Sequence, residues 1–341
     1  MKENDIKVSV YCMAYNHGKY IRDALEGFVN QKTNFKYEVI VHDDASTDNT
    51  ADVIREYAGK YPDIIKPIYQ KENQHSKKVK IIKTYILPKM SGKYVAVCEG
   101  DDYWTDENKL QLQYDAMEQH PECSMCAHYV KVEKMNANNR VGYNPEVPSR
   151  KRQLEEGVIS PGQMITIIVE DFIQLSSVFM RADHYREYMD NKPEYAIALP
   201  VGDTPLCLYM AVKGSLYFMD KTMSTYRKGV EGSWTARIQN DKEKHKLHRQ
   251  RYIRGLELYK EFLNGKYEKE IEHAILHYKF VDACSSCDYK KAFSKEYREI
   301  FKTVSRKTRV RVFLNAKFPW LRGLYKLMRS NNNDLKREEN G

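Results

Sequence analysis

Tyr94-Val95-Ala96-Val97-Cys98-Glu99-Gly100-Asp101-Asp102-Tyr103-Trp104 is the stretch on which the fold turns. Its first five residues form a short apolar run, as a strand covered on both faces requires, and carboxylates follow at once. In an open α/β sheet the ligand crevice lies at the carboxyl ends of the strands, which is where this cluster falls. Three carboxylates in four residues make a hard-oxygen site suited to Mg²⁺ or Mn²⁺. Gly100 would allow the backbone to approach a ligand closely. A solvated acidic turn is the plainer reading of the segment taken alone.

Outward from this stretch, short apolar runs alternate with amphipathic ones. Strands are expected over 6–12, 37–41, 64–69 and 124–132, with helices over 19–31, 50–60 and 109–118. Further on, 136–153 reads as a polar loop or hairpin and Ser160-Pro161 as the start of a helix reaching Asp171. A strand over 177–180 and a helix over 204–213 follow. The pattern predicts an α/β architecture with a mostly parallel, Rossmann-like sheet flanked by helices. Past Trp234 the strands stop, and Tyr252, Leu256, Tyr259 and Leu263 keep helical spacing, as do Ile271, Ala274, Ile275 and Tyr278. The expected organisation is a catalytic domain over 1–235 and a helical region over 236–341.

A second acidic cluster, Asp43-Asp44-Ala45-Ser46-Thr47-Asp48-Asn49-Thr50, also follows a strand. Turn and N-cap chemistry accounts for Ser46 to Thr50. It leaves Asp43 and Asp44, which repel one another unless donors or a ligand engage them. A carboxylate here can accept hydrogen bonds from a nucleobase N–H or ribose hydroxyls.

Bulk composition narrows the classes. From Lys242 onward 25 basic residues stand against 13 acidic ones, so the net charge of +9 sits at the rear. An acidic front and a basic rear argue against nucleic acid as the partner of the whole protein. Seven cysteines, an odd and scattered set, do not suggest disulfides, and the pairs Cys123/Cys126 and Cys284/Cys287 lack the setting of a zinc site. With no apolar leader and no run near the roughly 20 residues of a membrane span, a cytoplasmic location is expected.

Val8-Ser9-Val10-Tyr11-Cys12-Met13-Ala14-Tyr15-Asn16, then Gln31, then Asp43 to Thr50, then Cys98 to Trp104 with Lys109-Leu110, resemble in order and spacing the glycosyltransferase family 2 pattern on the GT-A fold. The resemblance implies an inverting, nucleotide-sugar-dependent, metal-dependent transferase, with UDP as donor nucleotide and a saccharide or lipid-linked glycan as acceptor. It implies that Ala14 and Tyr15 line the nucleobase pocket and that Asp43 or Asp44 contacts base or ribose. Glu99, Gly100 and Asp101 fall on the donor-binding acidic motif, with Asp101 and Asp102 as the metal ligands; Glu stands where the family's first Asp is usual. Asp203, in Pro200-Val201-Gly202-Asp203-Thr204-Pro205, corresponds to the general base, although an N-cap role is open at that position. Ser224-Thr225-Tyr226-Arg227-Lys228-Gly229 resembles the segment that closes over the donor phosphates. It lacks the expected His, so Arg227 or Lys228 would serve the diphosphate. Gln174, Ser176 and Ser177 would face the sugars.

Two other classes are weaker. A nucleotidyltransferase would carry a Gly-rich basic loop after the first strand, where this chain has Ala14-Tyr15-Asn16-His17-Gly18. A nucleotide- or RNA-binding module has no use for an acidic crevice. From Lys302 to Arg329 there are nine basic residues and no acidic one. The apolar face after Pro319 (Trp320, Leu321, Leu324, Tyr325, Leu327, Met328), with Arg322, Lys326 and Arg329 for charge, suits a helix on the anionic inner face of a membrane, with packing on the catalytic domain as the alternative.

Overall fold

The computed structural model describes residues 6–135, 141–142, 154–171, 173–230 and 241–320, and the chain divides into two compact units after Asp241. The change of architecture expected near 235 falls outside the described residues, as do most of 136–153 and the tail beyond Trp320.

In the first unit β1 (Ile6–Ala14), β2 (Lys36–Asp43), β3 (Ile65–Tyr69) and β4 (Tyr94–Val97) pair in parallel, in the spatial order β3-β2-β1-β4. Consecutive residues Val8 to Cys12 are all buried, so β1 is covered on both faces. That double burial is why these strands read as unbroken apolar runs. α1 (Ile21–Val29) supplies Ile21, Ala24, Leu25 and Phe28, one helical face, to the core. α2 (Thr50–Lys60) adds Val53, Ile54 and Tyr57, and α3 (Lys109–Gln119) adds Leu110, Ala116 and Met117.

The rest of the sheet is mixed. β6 (Cys123–Met135) and β10 (Ser215–Lys228) run parallel, while β9 (Phe179–Arg181) bridges β4 and β6 antiparallel to both. β5 (Tyr103–Trp104) pairs antiparallel with β10, and β7 (Val141–Gly142) and β8 (Gly157–Ile159) add short antiparallel partners. The sequence reading contains no strand over 215–228. Register shifts between Met219 and Ser224 break the alternation there, and Ser224, Thr225 and Arg227 are buried polar residues, so neither strand signature survives. Among the described residues, four further α-helices belong to the unit: α4 (Pro161–Asp171), α5 (Ala182–Asp190), α6 (Glu194–Ala198) and α7 (Asp203–Lys213). α7 buries Thr204 to Ala211 on every side and is an inner helix.

The second unit is helical. α8 (Lys242–Leu263) and α9 (Glu268–Ser285) form an antiparallel pair. Arg249 meets Asp282 at 3.0 Å, the rings of Tyr252 and Tyr278 stack at 4.3 Å, and Lys279 meets Glu257 at 2.9 Å. The short helices α10 (Tyr289–Ala292) and α11 (Arg298–Thr303), with α12 (Arg306–Lys317), close a small core around Phe280, Tyr297, Ile300 and Val312. Among the described residues no helix is long and apolar enough to cross a membrane. All seven cysteines are free thiols, and six of them are buried.

Candidate active site

Strand register assembles the site. Ala14 lies opposite Asp43, and Tyr11 opposite Val97, so β1, β2 and β4 release Tyr15, Asp44 and Glu99 at one edge of the sheet. Tyr15 is 45% exposed, a bare aromatic ring beside the carboxylates. The turn after it is held by Asn16 in the left-handed region (φ 56°), a conformation Asn tolerates. Asn16 N–H donates to Ser46 Oγ at 2.9 Å, and Asn16 Oδ1 accepts the N–H of Thr47 at 2.8 Å.

The adjacency of Asp43 and Asp44 has an internal explanation. Asp43 accepts from the hydroxyl and the N–H of Ser46. Asp44 accepts backbone N–H groups from Gln74 at 2.7 Å and His75 at 3.0 Å, one on each oxygen, and so anchors the loop after β3. Both side chains are nearly closed to solvent.

The acidic loop is bound to the end of β1, where Gly100 N–H donates to the Met13 carbonyl at 2.9 Å. A Cβ on Gly100 would stand 2.8 Å from Ile21 Cδ1, 2.9 Å from His17 Nδ1 and 3.2 Å from Ala14 Cβ. Close packing inside the protein, rather than room for a ligand, therefore accounts for this glycine. Asp102 turns inward and accepts the N–H of Arg227 at 2.9 Å. Burial, then the charge of Asp101, holds its carboxyl well above the usual carboxylate range. Asp101 is 8% exposed. Glu99 is exposed to solvent. Lost hydration, then Asp101 and Asp203, push its carboxyl up to about 8, a rise that its solvent contact tempers.

Asp203 is thus brought to the acidic loop from a distant part of the chain. It is the first residue of α7, with Gly202 at the cap position and no side-chain cap bond, so the N-cap reading does not describe it. Its Oδ1 accepts the neighbouring Thr204 N–H at 2.7 Å, and burial still pushes its carboxyl up to about 6. The buried rings of Tyr11 and Tyr188 form a wall of low polarity beside Glu99 and Asp203.

Other expected site residues are differently placed. The Arg227 guanidinium is enclosed: it donates to Asp23 and to the Asp101 carbonyl at 3.2 Å, lies 3.7 Å from Glu133, and stacks 4.4 Å over Tyr103. It clamps the acidic loop between α1, β6 and β10, while Lys228 is exposed. Ser176 and Ser177 are buried, their carbonyls accepting from Trp104 Nε1 at 3.0 Å and Gln113 Nε2 at 2.9 Å. Through these carbonyls they brace the loop. Lys109 is also part of this support. Fully buried, it donates to Gln113 at 2.6 Å and sits 4.2 Å from the Trp104 ring centroid, and burial pushes it down to about 7. The roles of Asp23 and Glu133 have no local sequence signature, because each meets Arg227 from a different element.

Among the described residues no three His, Cys, Asp or Glu side chains form a ready metal cage. The crowding of Glu99, Asp101 and Asp102 is nevertheless the environment a divalent cation relieves. Mg²⁺-type ions commonly take one or two carboxylates and complete their shell with substrate phosphates and water. The carboxylate donor set fits that mode, with Asp102 already accepting the Arg227 N–H.

The family model described as glycosyl transferase family 2 matches residues 9–172. An uncharacterized protein of Mycobacterium tuberculosis is 34% identical over 233 residues, 67% of this chain and 60% of that protein. The chain therefore spans about three fifths of the length of the first curated relatives it matches. TuaG of Bacillus subtilis, a glycosyltransferase with a provisional assignment to teichuronic acid biosynthesis, is 33% identical over 110 residues, 32% of this chain and 41% of that protein. Among solved structures, S. aureus TarS 1-349 in complex with UDP-GlcNAc superposes with a TM-score of 0.58 at 17% identity, covering 91% of this chain and 81% of that one. The curled mixed sheet with flanking helices is of the GT-A type.

Proposed function

From the premise that residues 9–172 of this chain belong to glycosyltransferase family 2, we propose that the protein moves a sugar from a nucleotide donor to a hydroxyl of a saccharide or lipid-linked glycan, inverting the anomeric centre. The observation that carries the reading is that Asp203 lies near enough to Glu99 for their charges to interact, at the carboxyl edge of the parallel strands. A carboxylate raised to about 6 is poised to accept a proton near neutrality. UDP is the proposed nucleotide, supported by the TarS structure solved with UDP-GlcNAc, and TuaG's named role points to surface polysaccharide. With such a donor the reaction lies on the cytoplasmic side.

In this mechanism Tyr15 offers its exposed face to the nucleobase, with Ala14 and Asp43 at the base and ribose edge. Asp44 holds the loop behind them. Asp101 and Glu99 would hold a Mn²⁺ or Mg²⁺ ion, and Asp102 orders the loop from inside. When bound, the metal neutralises charge on the departing nucleotide diphosphate. Asp203 takes the proton of the acceptor hydroxyl as it attacks the anomeric carbon.

Asp203→Asn is the direct test. It keeps the shape and removes the basicity, so nucleotide-sugar affinity should stay near native while transfer falls by roughly two to four powers of ten. Product NMR should show the inverted configuration. An Asn variant transferring at the wild-type rate, or a retained configuration, would remove Asp203 from the mechanism.

A further inference from the structure

The second unit ends in a surface that its own core does not use. α12 buries one residue, Val312. Val310, Phe313 and Leu314 stand three and four residues apart, a single stripe on the side of the helix away from Val312. They are 50%, 43% and 39% exposed, and Phe318 (41%) and Trp320 (62%) continue the stripe past the helix end. Phe313 rests one edge on Phe293, at 5.6 Å between centroids, and is still open on the other.

The charges around this stripe have one sign. Arg306 and Lys317 lie on it, Lys307 and Arg309 flank it, and all four are exposed. No acidic residue occurs between Lys302 and Trp320. The arrangement also opposes the helix's own field. Ser305 caps α12 by accepting the N–H of Thr308 at 3.2 Å, and Arg306 and Lys307 follow directly, in a first turn without an acid. Positive charge is disfavoured at that end and an anion is favoured. An exposed apolar stripe and cations at the wrong end of a helix are both unfavourable in water. An anionic lipid interface relieves the two together.

We propose that α12 with Phe318–Trp320 is a membrane-interface anchor. It lies along an anionic lipid surface, with the apolar stripe at the acyl boundary and the basic groups among headgroup phosphates. The sequence pattern put such a face after Pro319, a segment that lies almost wholly outside the described residues. The structure assigns one upstream, in 306–320. This inference stands apart from the glycosyl-transfer reading, because vesicle binding is measured without turnover.

The test uses the full chain and vesicles of phosphatidylglycerol with phosphatidylcholine, against phosphatidylcholine alone. Co-sedimentation should be strong on the anionic vesicles, weak on the neutral ones, and should fall as salt rises. Arg306→Gln with Arg309→Gln should lower partitioning about tenfold or more and flatten the salt dependence. Leu314→Ser with Phe318→Ser should lower it comparably at fixed salt, with the melting temperature and nucleotide-sugar hydrolysis unchanged. Tryptophan emission should shift to the blue on binding, and Trp320→Phe should abolish that shift while binding persists. Apolar variants that bind like wild type would overturn the anchor and leave only the attraction of a basic protein. A chain that ignores anionic vesicles at physiological salt would do the same. If Leu314→Ser instead converts a dimer to a monomer without lipid, the stripe belongs to a second copy of this chain.

Discussion

At the residue scale, Glu99 and Asp203 hold their protons more tightly in the folded chain than unfolded carboxylates do: Asp203 because burial disfavours its charged form, and Glu99 through lost hydration and neighbouring carboxylates, an effect that its exposure reduces. The sign of the consequence is fixed. A group whose folded pKa is raised weakens the fold as pH climbs from its unfolded value, near 4, toward its folded one, about 6 for Asp203 and about 8 for Glu99. The metal-free protein should therefore lose stability mainly between about pH 4 and 6, where Asp203 ionises, and Asp203→Asn should flatten that slope in urea denaturation. A cation needs the Glu99 carboxyl ionised. Titrating Mn²⁺ and UDP in buffers of different ionisation enthalpy at pH 7 should show proton release, which Glu99→Gln reduces, and affinity should rise from pH 6 to 8. An affinity flat across that range would remove Glu99 from the ion's surroundings. Asp203 should add a limb in kcat/KM that rises with pH through about 6, belonging to the coupled cluster as a whole.

At the element scale, β10 and the acidic loop stand or fall together. β10 pairs with Tyr103–Trp104, gives its Arg227 N–H to Asp102, and sends the Arg227 side chain across to α1 and β6. Arg227→Met should cost about 2 kcal/mol, since Glu133 and the Asp101 carbonyl lose a charged donor inside the protein while half-exposed Asp23 regains water. Arg227→Lys should recover part of this only, because an ammonium cannot reproduce the planar fork. Urea midpoints for the pair measure it, and a Met variant within about 0.5 kcal/mol of wild type would mean the clamp is dispensable. Gly100→Ala should cost about 1–3 kcal/mol through overpacking against Ile21 and His17, and should weaken donor binding by displacing the loop.

At the scale of the whole molecule, the site is made from segments that meet only after the sheet has formed. Hydrogen exchange with UDP and Mn²⁺ should accordingly slow together at 14–18 and 99–105, which lie on two separate stretches of the chain. Protection confined to one of them would mean the crevice is not assembled as described. At 100 times its Kd the ligand should raise the stability of the unit that binds it by about 2.7 kcal/mol.

The parallel half of this fold was legible because buried strands and one-sided helices leave periodic apolar marks, as in Val8 to Cys12 and in Ile21, Ala24, Leu25 and Phe28. The carboxylates after the strands were legible too, since strand ends converge by topology. What each side chain does there was not. Asp44 is spent on the N–H groups of Gln74 and His75, Asp102 faces Arg227, Gly100 is confined by Ile21 and His17, and Ser176 and Ser177 support Trp104 and Gln113. β10 escaped a reading by pattern because its end is buried against polar partners contributed by other elements. Local sequence determines which residues can form an element and which chemistry reaches a strand end. Orientation, partner and charge state depend on neighbours far away in the chain, and only tertiary packing decides them.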